Sequence, residues 1–212
     1  AAEAPPNMEA YEFLLHGLEL RSRFNWQDFL EARKMFRKAL EHDEDYARAG
    51  TELGNHHYEA WRIWGGNRDE NLRQTIAFAE RAVELNPRSA RPYVLLALAH
   101  KFLGEHDVAE RDARRALDLG PTEATSLAGL ADYLRLSGNP EQSIELMRQA
   151  MRRDPYFPAF YLAWLGHAYF MVGQYDEATV VLRRGIERDT TYVPFHLFLA
   201  ATYAAKGKAE DA

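Results

Sequence analysis

Apolar residues recur along this chain at helical spacing, and the recurrence itself repeats. Tyr11, Leu14, Leu15, Leu18 and Arg21 follow a helical period from Met8 to Arg23, behind an Asn7 able to cap the first turn. Asn25 heads a partner helix whose packing face is Ala32, Phe36 and Ala39. The same motif of apolar helix, glycine turn and small-residue helix returns downstream. Tyr93, Leu96, Ala97 and His100 precede Gly104 and are followed by Ala109, Ala113 and Ala116. Leu127, Leu130, Ala131 and Leu134 precede Gly138, then Ser143, Met147 and Ala150. Leu165, Gly166 and Tyr169 precede Gly173, then Ala178, Leu182 and Gly185. The turn glycines Gly104, Gly138, Gly173 and Gly207 lie 34, 35 and 34 residues apart. The small residues Ala82, Ala116, Ala150 and Gly185 lie 34, 34 and 35 apart, and the closing residues Pro87, Pro121, Pro155 and Thr190 keep the same gaps.

The period has a packing origin. Small residues such as Ala97, Ala109 and Ala116 let two helices approach, while Tyr93, Leu96 and Leu117 fill the gaps between them. A lone hairpin cannot bury its apolar face, so neighbouring hairpins must stack. The chain therefore predicts hairpins over residues 8–43, 46–87, 90–121, 124–155 and 158–190, with a partial one over 192–212, or about eleven helices. Pro140 falls in a first helical turn, where its missing N–H costs nothing. Two hairpins depart from the period. Gly17 to Ala32 is 15 residues, against 12 for Ala97 to Ala109, so the first hairpin gains about one turn. Leu53-Gly54 is followed by the small residue Thr75 only 21 positions later. The surplus falls around Trp61 to Asn71 and predicts a longer first helix with a projecting loop, either a binding excursion carrying Trp61 and Trp64 or a packed Trp pair bracing a long turn.

A period of 34 resembles the tetratricopeptide repeat over nearly the whole chain. The resemblance implies an all-α fold, a right-handed α-solenoid of helical hairpins with about five repeats plus one extra helix, whose first helices line a concave groove. A narrower similarity involves Pro5-Pro6-Asn7-Met8-Glu9-Ala10-Tyr11, the Phe24-Asn25-Trp26-Gln27-Asp28 turn, Ala32-Arg33 to Ala39-Leu40, and Leu199 to Tyr203 before Gly207. These segments resemble the repeat region of bacterial class III adenylate or guanylate cyclases, where repeats follow a Pro-rich linker and an upstream catalytic domain. That resemblance implies a regulatory segment of a larger signalling protein. Residues 1–7 have linker composition, and the chain stops at Ala212 where another second helix is due, so both ends suggest a piece of something longer.

Composition narrows the function. A net charge of −6 argues against general nucleic-acid binding, which needs concentrated Lys and Arg. Cysteine is absent, which excludes a thiolate metal site or a Cys nucleophile. The most apolar run, Phe157 to Gly173, is shorter than a bilayer span and carries His167. With no targeting segment, the expected compartment is the cytoplasm. Motifs for phosphate cradling, zinc proteolysis or serine hydrolysis are missing, so no enzyme activity and no cofactor are expected. Adjacent His56 and His57 point about 100° apart on a helix and do not converge on one metal ion. The expected activity is protein binding, of a peptide or helix in the concave groove. The repeat register projects that lining as Asn55, Tyr58, Arg62, Val94, Leu98, Lys101, Asp132, Arg135, Phe160, His167, Phe170, Leu197 and Ala201, polar in its first part and apolar near its end. The Lys/Asn/Arg carboxylate clamp of chaperone-binding repeats is not matched, since Val94, Leu98 and Asp132 stand where it needs polar donors. The alternative is a structural scaffold that self-associates, through a final helix left with Leu197, Leu199 and Tyr203 uncovered.

Overall fold

A computed structural model describes residues 7–207 and, among them, eleven α-helices and no strand. The expected linker residues up to Pro6 and the tail after Gly207 lie outside the described residues. The chain divides into two compact units, residues 1–121 and 122–212. The first holds α1 (Met8–Ser22), α2 (Trp26–His42), α3 (Ala47–Arg62), α4 (Arg68–Leu85), α5 (Ala90–Leu103) and α6 (His106–Asp118). The second holds α7 (Ala124–Leu136), α8 (Pro140–Arg153), α9 (Phe160–Met171), α10 (Tyr175–Arg188) and α11 (Val193–Ala205).

Helix ends follow from local chemistry. The Asn7, Asn25 and Asn67 side chains each accept from a first-turn N–H, at Glu9, Asp28 and Glu70. At the recurrent turn, Gly104, Gly138 and Gly173 adopt left-handed φ of 85°, 82° and 74°. The next residue's N–H then returns to the helix, as Glu105 to His100, Asn139 to Leu134 and Gln174 to Tyr169. This closes otherwise orphaned carbonyls and needs a residue without a Cβ penalty, which is why glycine recurs at this spacing.

Small residues set the helix separation both within the fifth hairpin and between it and α11. A Cβ on Gly166 of α9 would sit 2.5 Å from Leu182 Cγ of α10, and one on Gly185 of α10 would collide with the Phe195 ring of α11. Leu182 and Phe195 are fully buried as a result. Thr75 and Ser143 occupy the position held by Ala109 in the third hairpin and Ala178 in the fifth; the Ser143 hydroxyl donates across the hairpin to Ala131 O, and the single Thr75 hydroxyl proton is shared between Asn71 O on its own helix and Gly54 O across the hairpin. In the first unit, Ala10, Leu14, Ala32, Phe36, Ala39 and Leu53 form one continuous core.

The second hairpin departs from the projecting loop expected at Trp61–Asn71. α3 runs eight residues past Gly54, where α9 runs five past Gly166, and Thr75 is the eighth residue of α4, where Ala178 is the fourth of α10. Most of the surplus is therefore extra helix on both arms, and the connection is only residues 63–67. Helix extension keeps backbone groups paired that a long loop would leave to solvent. Trp61 and Trp64 do not brace each other. Trp61 packs on Phe102 of α5 at 4.8 Å between centroids, and Trp64 on Trp26 and Phe29 of α2 at 5.3 and 5.4 Å.

Candidate functional site

In the second unit the first helices of successive hairpins touch directly, α7 against α9 and α9 against α11. No comparable packing joins α8 to α10, so α7, α9 and α11 share one inner side among the described residues. The first unit brings α3 and α5 together in the same way.

The inner residues of the first unit are tied up internally. α3 is buried almost all round from Ala49 to Tyr58 although it carries Thr51, Glu52, Asn55, His56 and His57. Glu52 pairs with Arg21 of α1 and with Arg91 of α5, the latter at 3.0 Å. Burial alone would raise the Glu52 carboxyl, but the two guanidinium groups overcome it and hold the pKa at about 2. Asn55 donates to Glu59 at 2.8 Å, and burial pushes the Glu59 carboxyl up. His57 meets Asn71 at 3.1 Å. His56 stacks on Phe29 with centroids 3.8 Å apart, and burial followed by repulsion from His57 lowers its pKa to about 3. Tyr58 and Arg62 lie against Trp61 and the Phe102 ring. Val94 and Leu98 are buried, and Lys101 is half-buried. Aromatic and paired charged side chains crowd this side of the first unit.

The second unit is different. Arg135 reaches from α7 to Asp132 on its own helix and to His167 Nδ1 on α9 at 2.9 Å. Asp132 is fully buried and Arg135 nearly so, while His167 stays half-buried. The His167 ring lies 4.4 Å from Phe198 of α11 and 6.2 Å from Phe170. Burial, then the adjacent Arg135, lowers the His167 pKa to about 4, so the ring is neutral at pH 7. Phe170 is half-buried, and Leu197 and Ala201 are exposed, with Leu197 at 62%. Phe160 turns inward against Tyr161 and Trp164 and stays buried. Of the residues expected from the register, Asp132, Arg135, His167 and Phe170 lie together, joined by Phe198, which the register did not name, one position beyond Leu197 and against His167 of α9.

The family profile of the tetratricopeptide repeat matches residues 94–158 and again residues 134–191. The chain carries tetratricopeptide repeats. Relatives and solved structures agree with this assignment. Human Superkiller complex protein 3 is 24% identical over 91% of this chain, which spans 12% of that protein. Putative adenylate cyclase 3 of Rhizobium meliloti is 29% identical over 48% of this chain, which covers 18% of its length. Human IFIT1, solved as a dimer with m7Gppp-AAAA, superposes with a TM-score of 0.74 at 19% identity, covering 95% of this chain and 49% of that one. At that identity the likeness concerns the fold. The chain thus spans a small part of the curated relatives it matches. Tetratricopeptide repeats generally act as non-catalytic scaffolds for protein–protein contact. No helix among the described residues is long and apolar enough to cross a membrane.

Proposed function

We propose that this tetratricopeptide array is a non-catalytic binding module that takes an apolar peptide or helix on the α7–α9–α11 side of its second unit. One observation carries the reading. On that side the charges of Asp132 and Arg135 neutralise each other in the interior, while Phe170, Leu197 and Ala201 remain reachable around a neutral His167. A face without net charge and with exposed apolar groups favours an apolar segment over a charged one, because a charged segment would lose hydration with no opposite charge to meet. The inner side of the first unit differs, since Glu52 is paired there with Arg21 and Arg91 and Asn55 with Glu59.

The match over 103 residues to a bacterial adenylate cyclase supports placing the module in a larger bacterial signalling protein, in the cytoplasm, as a regulatory region separate from any catalytic domain. The test is selection of a displayed random-peptide library on the immobilised chain, followed by rebinding to Phe170→Asp. Selected peptides should be rich in apolar residues and should lose at least about tenfold in affinity for the variant, since a buried carboxylate lacks a partner there. Peptides that bind both proteins equally would place the partner elsewhere.

A second reading is self-association through α11, where Val193 and Leu197 are both more than half exposed. Analytical ultracentrifugation of Leu197→Glu against the unaltered chain tests it. A shift from dimer to monomer supports the scaffold reading, and identical sedimentation removes it.

A further inference from the structure

The bond between Arg135 and His167 fixes more than position. A guanidinium has donors and no acceptor, so at 2.9 Å His167 Nδ1 must be the acceptor. A neutral imidazole has one N–H, and it must therefore sit on Nε2. Arg135 cannot swing away to release this tautomer, because Asp132 holds its other terminal nitrogen and both side chains are buried, with exposures of 5% and 0%. The ring itself is held by Phe198 and Phe170. Three residues on two helices, Asp132, Arg135 and His167, thus give the inner side an oriented donor set among apolar groups.

We propose that His167, locked by Arg135 in its Nε2–H form, is the specificity residue of this face and donates to an uncharged carbonyl acceptor on an apolar partner segment. The inference rests on the α7–α9–α11 side being the binding face, and it adds what the partner must carry there. An acceptor such as a main-chain carbonyl or an Asn or Gln side-chain oxygen completes the His167 donor. Lys or Arg at the same place would set donor against donor and strand both, a mismatch that costs far more than a missing favourable contact. Arg135 adds nothing that a cation could use, since its charge is already matched by Asp132.

Two measurements test the proposal. The first is a long-range 15N–1H spectrum of the imidazoles in the intact, ligand-free chain at pH 7. His167 should show a protonated Nε2 and an unprotonated Nδ1, and Arg135→Met should restore a mixture of tautomers. An Nδ1–H form or an imidazolium in the unaltered chain overturns the proposal. The second uses peptides selected from the displayed library on the unaltered chain. His167→Leu should weaken them by about fivefold or more, the value of one net hydrogen bond. His167→Gln should keep binding within about twofold, because its amide oxygen accepts from Arg135 while its NH2 donates outward. Peptides that are lost on Phe170→Asp yet indifferent to His167→Leu overturn the donor role and leave the binding face intact. Peptides indifferent to Phe170→Asp overturn both.

Discussion

His56 gives the sharpest test of the interior of the first unit. Its ring is 2% exposed, lies nearly parallel to Phe29 at 16°, and its Nδ1 has no hydrogen-bond partner among the described residues. Burial, with repulsion from His57, Arg33, Arg21 and Arg37, holds its pKa at about 3 in the folded chain, against 6.5 when unfolded. A group whose folded pKa is depressed gives stability that is present above 6.5 and is lost as pH falls toward 3. At pH 5 the unfolded chain has bound the proton and the folded chain has not. The loss over those one and a half units is about 2 kcal/mol, at about 1.4 kcal/mol per unit. His56→Phe keeps the stacked ring, removes the unpaired nitrogen and cannot titrate. Urea unfolding followed by tryptophan fluorescence suits the test, because Trp26, Trp61 and Trp64 all lie in the first unit. His57, lowered by burial, and His100, raised by its bond to Asp112, titrate in both proteins and largely cancel in the difference. The variant should match or exceed the unaltered chain at pH 7 and gain on it by about 2 kcal/mol at pH 5. Parallel pH profiles, or a variant destabilised by more than about 1 kcal/mol at pH 7, would refute a neutral, desolvated His56.

Glu52→Gln should destabilise the first unit by roughly 3–5 kcal/mol in the same urea assay, because it removes the carboxylate that meets both Arg21 and Arg91 in the interior. Gly185→Ala should cost roughly 1–3 kcal/mol by thermal unfolding, since the new methyl group meets the fully buried Phe195 ring. Ala116→Leu should cost a similar amount, as Ala116 has no exposed surface, whereas the comparison variant Ala4→Leu falls outside the described residues and should melt unchanged.

The repeat register could be seen in the sequence because each of its signals is local. Gly104, Gly138 and Gly173 mark left-handed turns, and Ala116, Ala150 and Gly185 mark close approaches, whatever the neighbours are. The insertion was visible as a length, but its form was not. Whether extra residues extend helices or bulge outward depends on what Trp61 and Trp64 find to pack against, and Phe102 and Trp26 come from different hairpins. Along successive first helices the spacing placed Asp132, Arg135 and His167 on one side, where they bond to one another. Spacing alone did not show that Asn55, Tyr58 and Leu98 would be buried, with Asn55 bonded to Glu59. The Arg21–Glu52–Arg91 assembly spans 31 and 39 positions, and nothing in the spacing of those residues announces it. Opposite charges at inner positions of adjacent first helices were the available signal, and reading them required the order in which the helices stack.

The most direct test of a binding face on the second unit is amide and side-chain chemical-shift mapping of the intact chain with a peptide selected on it. Perturbations should concentrate on His167, Phe170, Leu197 and Ala201, with the outward helices α8 and α10 silent. Perturbations confined to α8 and α10, or to the paired interior residues around Glu52, would contradict the account.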